Sequence, residues 1–219
     1  VLMLAFPWTD SAVHGHLAIA PRPAAVHAGI LVRLTASAVE LPGGPTLPLG
    51  DAALEDTTAL RAWLETELAG AYPQGGGEIV VDADATANAA VLVDIAEAAS
   101  SRKLQTIAVL VRDDAGHIGA ERVTTLPAEA PAPYWIHVDG DRFELRDATS
   151  TSVVSGPNDD GFVALDPWAA GIDESVVAID GRTVNVQQLV DLQRALRGRE
   201  CDLTAECYRA AVVLGRPCC

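Results

Sequence analysis

The chain is short of positive charge, of aromatic rings and of long apolar runs, and each shortage removes a class of function. Fifteen Lys and Arg stand against 30 Asp and Glu in 219 residues, a formal charge of −15. Such a surface repels phosphate backbones and anionic headgroups, so nucleic acid is not an expected partner. The apolar run that opens the sequence, Val1 to Trp8, is far below the roughly 20 residues that a membrane helix needs. It reads either as a buried strand or as the remnant of a signal peptide or membrane helix. Aromatics make up 5% of the residues but hydrophobic side chains 49%. The core is therefore built from Ala, Val, Leu and Ile, as in a folded globular protein rather than an acidic disordered tail.

Chemistry-bearing motifs are also scarce. There is no G-x-S-x-G elbow, no G-x-x-x-x-G-K-[ST] loop and no G-x-G-x-x-G. Gly75-Gly-Gly77 precedes an apolar strand-like run, whereas a phosphate loop follows a strand and opens a helix. No residues are thereby assigned to nucleophilic or phosphate chemistry. The expectation is a protein that is not an enzyme and that needs no cofactor.

What is present is a repeat. Thr86-Ala-Asn88-Ala-Ala-Val-Leu92-Val-Asp94 recurs 97 positions later as Thr183-Val-Asn185-Val-Gln-Gln-Leu189-Val-Asp191, identical at five positions without a gap. Tyr134 to Leu145 aligns with Ile30 to Leu41 at an offset of 104, and Val212 to Arg216 aligns with Ala108 to Arg112 at the same offset. Around the first copy, Ile30, Val32 and Leu34 alternate as in a half-buried strand. Pro42-Gly-Gly-Pro45 breaks the backbone. Asp51 can cap a helix whose Leu60, Trp63, Leu64 and Leu68 form one stripe, closed by Gly70. Glu78 to Val81 is a strand, the repeated segment a helix with Val91, Leu92, Ile95 and Ala99 inward, and Thr106 to Val111 a strand, with a further strand running through Val123.

The predicted fold is α/β of the two-layer α+β kind, a tandem β-α-β-α-β unit with mixed sheets covered by helices. Its predicted boundaries are an N-terminal extension over 1–28, unit one over 29–125, a Pro- and Ala-rich linker over 126–133 and a diverged unit two over 134–219. In unit two Ser155 to Gly161 is turn chemistry in place of the first helix. The next strand is Val176 to Ile179. Val186, Leu189, Val190, Leu192 and Leu196 then form a helical face, and Ala210 to Leu214 is the last strand.

The change of offset from 97 to 104 marks a seven-residue insertion, and Cys201-Asp-Leu-Thr-Ala-Glu-Cys207 is itself seven residues long. All four cysteines lie at 201, 207, 218 and 219. Such clustering suits disulfides in an oxidising compartment or a thiolate metal site. Five residues separate Cys201 from Cys207 and no His follows, which is poor zinc spacing, so a Cys201–Cys207 disulfide pinning the inserted loop is the expectation. Two free thiols in a cytosolic protein are the alternative.

The segment from Ile30 to Arg112, above all Ile79-Val-Val-Asp-Ala-Asp84, Val91 to Ala99 and Ile107 to Val111, resembles the periplasmic domain of the ExbD/TolR biopolymer-transport family. The second unit looks like a diverged copy. The resemblance implies a periplasmic, non-catalytic binding or scaffolding component of a membrane-energised transport or envelope-maintenance complex. Its implied partners are envelope or inner-membrane motor proteins and peptidoglycan, with association as a homo-dimer or as an internal pseudo-dimer of the two units. In that family a membrane helix bearing a proton-carrying Asp precedes the domain. Neither is in this sequence, and an anchor would have to precede Val1.

Individual residues carry two competing readings. Asp82 and Asp84, two apart on a strand, face one side and could take a divalent cation or a basic partner, or simply be solvated at a strand end. With a histidine they would serve a small metal-dependent hydrolase, the alternative enzyme reading; a cytosolic adaptor is a third. Asp139-Gly-Asp141 is read as a hairpin turn rather than a calcium loop, and His14, His16 and His27 as imidazoles without neighbouring acidic or thiol ligands. Trp8, Trp63 and Trp135 are core or rim anchors, and Trp168, after Asp166-Pro167, is the candidate partner-binding anchor.

Overall fold

The computed structural model describes residues 16–27, 29–41, 44–50, 58–71, 78–100, 106–126, 132, 134–140, 142–147, 150–155, 176–196 and 211–215. By contacts these fall into two compact units, the first ending at Val123 and the second beginning at Thr124, except that Asn88–Ala90 group with the second. Both are mixed α/β.

The first unit holds strands β1 (Ala18–Ile19), β2 (Gly29–Leu34), β3 (Ala38–Glu40), β4 (Thr46–Pro48), β5 (Glu78–Ala83), β6 (Thr106–Arg112) and β7 (Ile118–Val123), with helices α1 (Thr58–Ala71) and α2 (Ala90–Ser100). The sheet runs β1-β6-β5-β2-β3-β4, with β7 also on β6. The contacts β2–β5, β5–β6 and β1–β6 are parallel, while β2–β3, β3–β4 and β6–β7 are antiparallel. β5 explains its central place. Every residue of Glu-Ile-Val-Val-Asp-Ala is buried, as expected of a parallel strand covered on both faces. Ile79, Val80, Val81, Ile107 and Val109 are at most 2% exposed. A satellite cluster of Leu17, Val80, Ala108, Leu110 and Ala120 ties the segment before β2 into the sheet. At the start of β2, a Cβ on Gly29 would lie 2.2 Å from the Glu78 carbonyl oxygen, so only glycine lets the two strands approach there.

The second unit holds β8 (Tyr134–Asp139), β9 (Arg142–Arg146), β10 (Thr151–Ser155), β11 (Val176–Asp180), a 3-10 turn (Gly181–Thr183), α3 (Val186–Leu196) and β12 (Ala211–Gly215). Its sheet runs β10-β9-β8-β11-β12. Strand for strand this is the order β4-β3-β2-β5-β6 of the first unit. The directions also agree, parallel at β8–β11 and β11–β12 and antiparallel at β8–β9 and β9–β10. Phe143, Ile136 and Ile179 are its largest buried side chains.

The local sequence accounts for the helix starts. Asn185 Oδ1 accepts from the Gln188 N–H at 2.8 Å while Gln188 Oε1 accepts from the Asn185 N–H at 3.0 Å, a reciprocal capping box that satisfies two otherwise orphaned donors. At the matching place before α2, Asn88 Oδ1 accepts from the Ala90 N–H at 2.8 Å. The predicted inward residues of both helices are buried except Leu196, which is half-buried. Asp139 and Gly140 lie at the turn of the β8–β9 hairpin, with Asp139 paired to Arg142 and Gly140 at φ +59°, where a side chain would be strained. β4 and β10 were not foreseen. β1 adds residues of the predicted extension to the first sheet. Asp51, the Val1–Trp8 run and the cysteine-bearing segment lie outside the described residues.

Candidate functional site

The most organised chemistry in each unit is a basic side chain, on β2 or on β8, set beside a buried aspartate of the parallel neighbour and opposite a glutamate of the antiparallel one. Arg33 on β2 pairs across the ladder with Glu40 on β3 and Asp82 on β5. Its Nε lies 3.3 Å from Asp82 Oδ2 and its Nη1 3.6 Å from Glu40 Oε2. The Asp82 side chain is fully buried, so this is a desolvated charge matched by a guanidinium rather than the solvated strand end that sequence reading favoured. In the second unit His137 on β8 pairs across the ladder with Glu144 on β9. Its Nδ1 lies 3.2 Å from Oδ2 of the buried Asp180 on β11. The Arg182 side chain also donates to Asp180 at 3.2 Å, and the Arg182 backbone N–H does so at 3.0 Å. Glu144 is held below its ordinary range first by the hydrogen bond from Arg146, with His137 contributing at longer range.

Arg33 and His137 are 104 positions apart, as are Glu40 and Glu144, while Asp82 and Asp180 are 98 apart. The clusters therefore occupy matching places in the two ladders. Of these six residues the sequence singled out only Asp82; Arg33, Glu40, His137, Glu144 and Asp180 were not foreseen. The available signal was a charged residue in an otherwise apolar strand at a shared offset.

Asp84 has a different setting from Asp82. It lies past the end of β5, and its Oδ1 accepts from the Thr86 hydroxyl at 2.6 Å and the Thr86 N–H at 2.8 Å. These bonds, the hydroxyl first, hold its carboxyl below the usual aspartate range, with a smaller contribution from the nearby His16. Asp82 and Asp84 are thus occupied separately. His27 sits with Arg122, 3.0 Å from its Nη2. Among the described residues no group of three His, Cys, Asp or Glu is placed to hold a metal ion.

A third arrangement links helices. Asp94 on α2, fully buried, accepts from Arg61 Nε on α1 at 2.9 Å, and Arg61 also pairs with Glu97. Its counterpart in the repeat, Asp191 on α3, is only half-buried and accepts from Gln187 Nε2 at 2.9 Å. Burial pushes the Asp191 carboxyl above the usual range, against the opposing pull of Gln187 and Arg194.

The chain matches no protein-family model, no curated protein and no solved structure.

Of the residues singled out in the sequence, Trp168, Cys201 and Cys207 lie outside the described residues. Trp63 on α1 and Trp135 on β8 are half-buried, and the Trp135 ring closes over Gly215, where a Cβ would lie 3.1 Å from it. At the free end of the second sheet, β10 pairs only with β9 among the described residues. Val153 at its centre is 54% exposed. Thr-Ser-Val-Val-Ser contains no charge and no proline, which are the usual guards of an edge strand. The first sheet ends instead in β4, whose Pro48 lacks an N–H. No helix among the described residues is long and apolar enough to cross a membrane.

Proposed function

We propose that the chain is a non-catalytic binding or scaffolding component of a membrane-energised transport or envelope-maintenance complex, built from one ExbD/TolR-like unit used twice and working in the periplasm. The observation that carries the binding reading is the unguarded β10 edge. Its row of strand N–H and C=O groups can accept an added strand from a partner or from a second protomer, and Val153 supplies an apolar contact. The duplication is supported by the identical strand order of the two sheets and by the matched charge clusters around Arg33 and His137. Family and compartment rest on the likeness of Ile79 to Asp84 and the helix after it to ExbD/TolR, with motor proteins of the inner membrane and peptidoglycan as the partners that likeness implies.

The test is a photo-crosslinking residue at Val153 in cells whose periplasmic and cytoplasmic fractions are then separated. The expected result is a crosslink to an envelope protein, recovered with the periplasm and lost when Val153 is exchanged for Lys in a chain carrying the crosslinker at Ser152. A chain confined to the cytoplasm and uncrosslinked at both positions would overturn the proposal.

A further inference from the structure

Asp-Gly is the pair in which a side-chain carboxyl most easily meets the next backbone nitrogen, because glycine has no Cβ to crowd the approach. The chain contains three such pairs, beginning at Asp139, Asp160 and Asp180. The pair at Asp160 lies outside the described residues, and the other two have opposite settings. Asp180 is 2% exposed. Its carboxylate accepts from the Arg182 N–H at 3.0 Å and from the Arg182 side chain at 3.2 Å, and stands 3.2 Å from His137 Nδ1. It caps the 3-10 turn that the buried Gly181 opens. To reach the Gly181 nitrogen, that carboxyl would have to surrender all of these bonds.

Asp139 and Gly140, by contrast, are both exposed. Among the described residues no donor holds the Asp139 carboxylate, and the Gly140 N–H enters no backbone hydrogen bond. Gly140 stands at φ +59°, and a Cβ built on it would meet nothing within 4 Å. The space in which carboxyl and nitrogen must meet is open.

We infer that Asp139 is a site of spontaneous covalent modification, converting to isoaspartate through a succinimide. The Gly140 nitrogen attacks Cγ of the protonated Asp139 carboxyl. An N–Cγ bond forms, the Cγ–OH bond breaks, and the amide hydrogen leaves with that hydroxyl as water. Water then adds back to the ring. Opening at Cγ restores aspartate, whereas opening at the main-chain carbonyl carbon leaves the chain running through Cβ and Cγ with a free α-carboxylate. One water leaves and one returns, so the mass is unchanged and no oxidant is needed. The product has an extra main-chain atom in the turn. Hairpin register is set by turn length, so the Asp139–Arg142 pair and, two residues along, the His137–Glu144 pair lose alignment. Ageing at the turn thereby acts on the His137 cluster.

The test ages the full chain in native buffer and in strong urea, until the urea sample has converted at both Asp139 and Asp180. Electron-transfer fragmentation of tryptic peptides then locates isoaspartate in each. In native buffer Asp139 is expected to exceed Asp180 by at least about tenfold, because Asp180 reacts only from an opened state. In urea the two converge. Asp139→Glu, an exposed change that keeps the charge, is expected to abolish the product in its peptide. Protection of Asp139 in native buffer, or equal conversion at Asp139 and Asp180 there, overturns the inference, as does isoaspartate at Asp141 in place of Asp139. The converted chain, separated by chromatography, is expected to unfold at lower urea than the parent; equal midpoints overturn the consequence for register.

Discussion

His137 stands in the second sheet where Arg33 stands in the first. Each lies opposite a glutamate on the antiparallel neighbour and within 3.3 Å of a buried aspartate on the parallel one. Arg33 brings a planar guanidinium with several fixed donors, His137 a smaller ring with two nitrogens. The same ladder position thus takes either side chain, provided that its carboxylates are kept.

Breaking the Arg33 pair leaves a carboxylate buried without its guanidinium. Arg33→Met is expected to lower stability by about 3–5 kcal/mol, and Asp82→Leu added to it to restore most of the loss. A urea-denaturation double-mutant cycle reads this directly. Equal losses in the single and double variants would show that Arg33 acts through packing of its stem and not through the charge.

Asp191 gives a pH signature of known sign. Its folded carboxyl lies above the ordinary value of 3.8, so its contribution to stability is complete below that value and is lost as pH rises through the folded one. Asp191→Asn is therefore expected to be more stable than the parent at pH 7, with the advantage vanishing below pH 3.8. Thermal melts of both chains across pH 3 to 7 check it, and a constant difference over that range would contradict the assignment.

Gly29 sits where β2 approaches β5 too closely for a side chain, with 2.2 Å between a built Cβ and the Glu78 carbonyl. Gly29→Ala must push the strands apart at the start of the ladder. A loss of about 1–3 kcal/mol is expected, visible in the denaturation midpoint. A neutral outcome would mean that the end of the ladder opens at no cost.

Gln193 on α3 is fully buried, and neither its Nε2 nor its Oε1 has a hydrogen-bond partner among the described residues. Exchanging it for leucine removes the cost of an unsatisfied amide, and a gain of about 1–3 kcal/mol is expected. A loss of stability in calorimetry would reveal that the amide has a partner, such as an internal water, that the leucine displaces.

Much of the fold was legible because periodicity is a local property. The alternation in Ile30, Val32 and Leu34, the helical faces of 90–100 and 186–196, and the punctuation at Asp139-Gly140 each follow from residues within a few positions of one another. The edge strands β4 and β10 were not legible: Thr46-Leu-Pro48 and Thr151 to Ser155 carry no apolar alternation, and they pair because β3 and β9 present an open edge to them. Asp82 shows the same limit at the level of a site. Its position near the end of an apolar run argued for solvent, yet Arg33, 49 positions earlier in sequence, is brought beside it by ladder register. Register is a property of two strands, and no window on one of them contains it.

β6 lies between neighbours on both sides, with β5 and β1 along one edge and β7 along the other, and Ile107 to Val111 are buried without a break. Its amides are therefore the ones that solvent reaches last. In deuterium exchange the first unit should shed protection from the β3–β4 margin inward, and the residual signal at Val109 and Leu110 should decay only at the rate at which the whole unit opens.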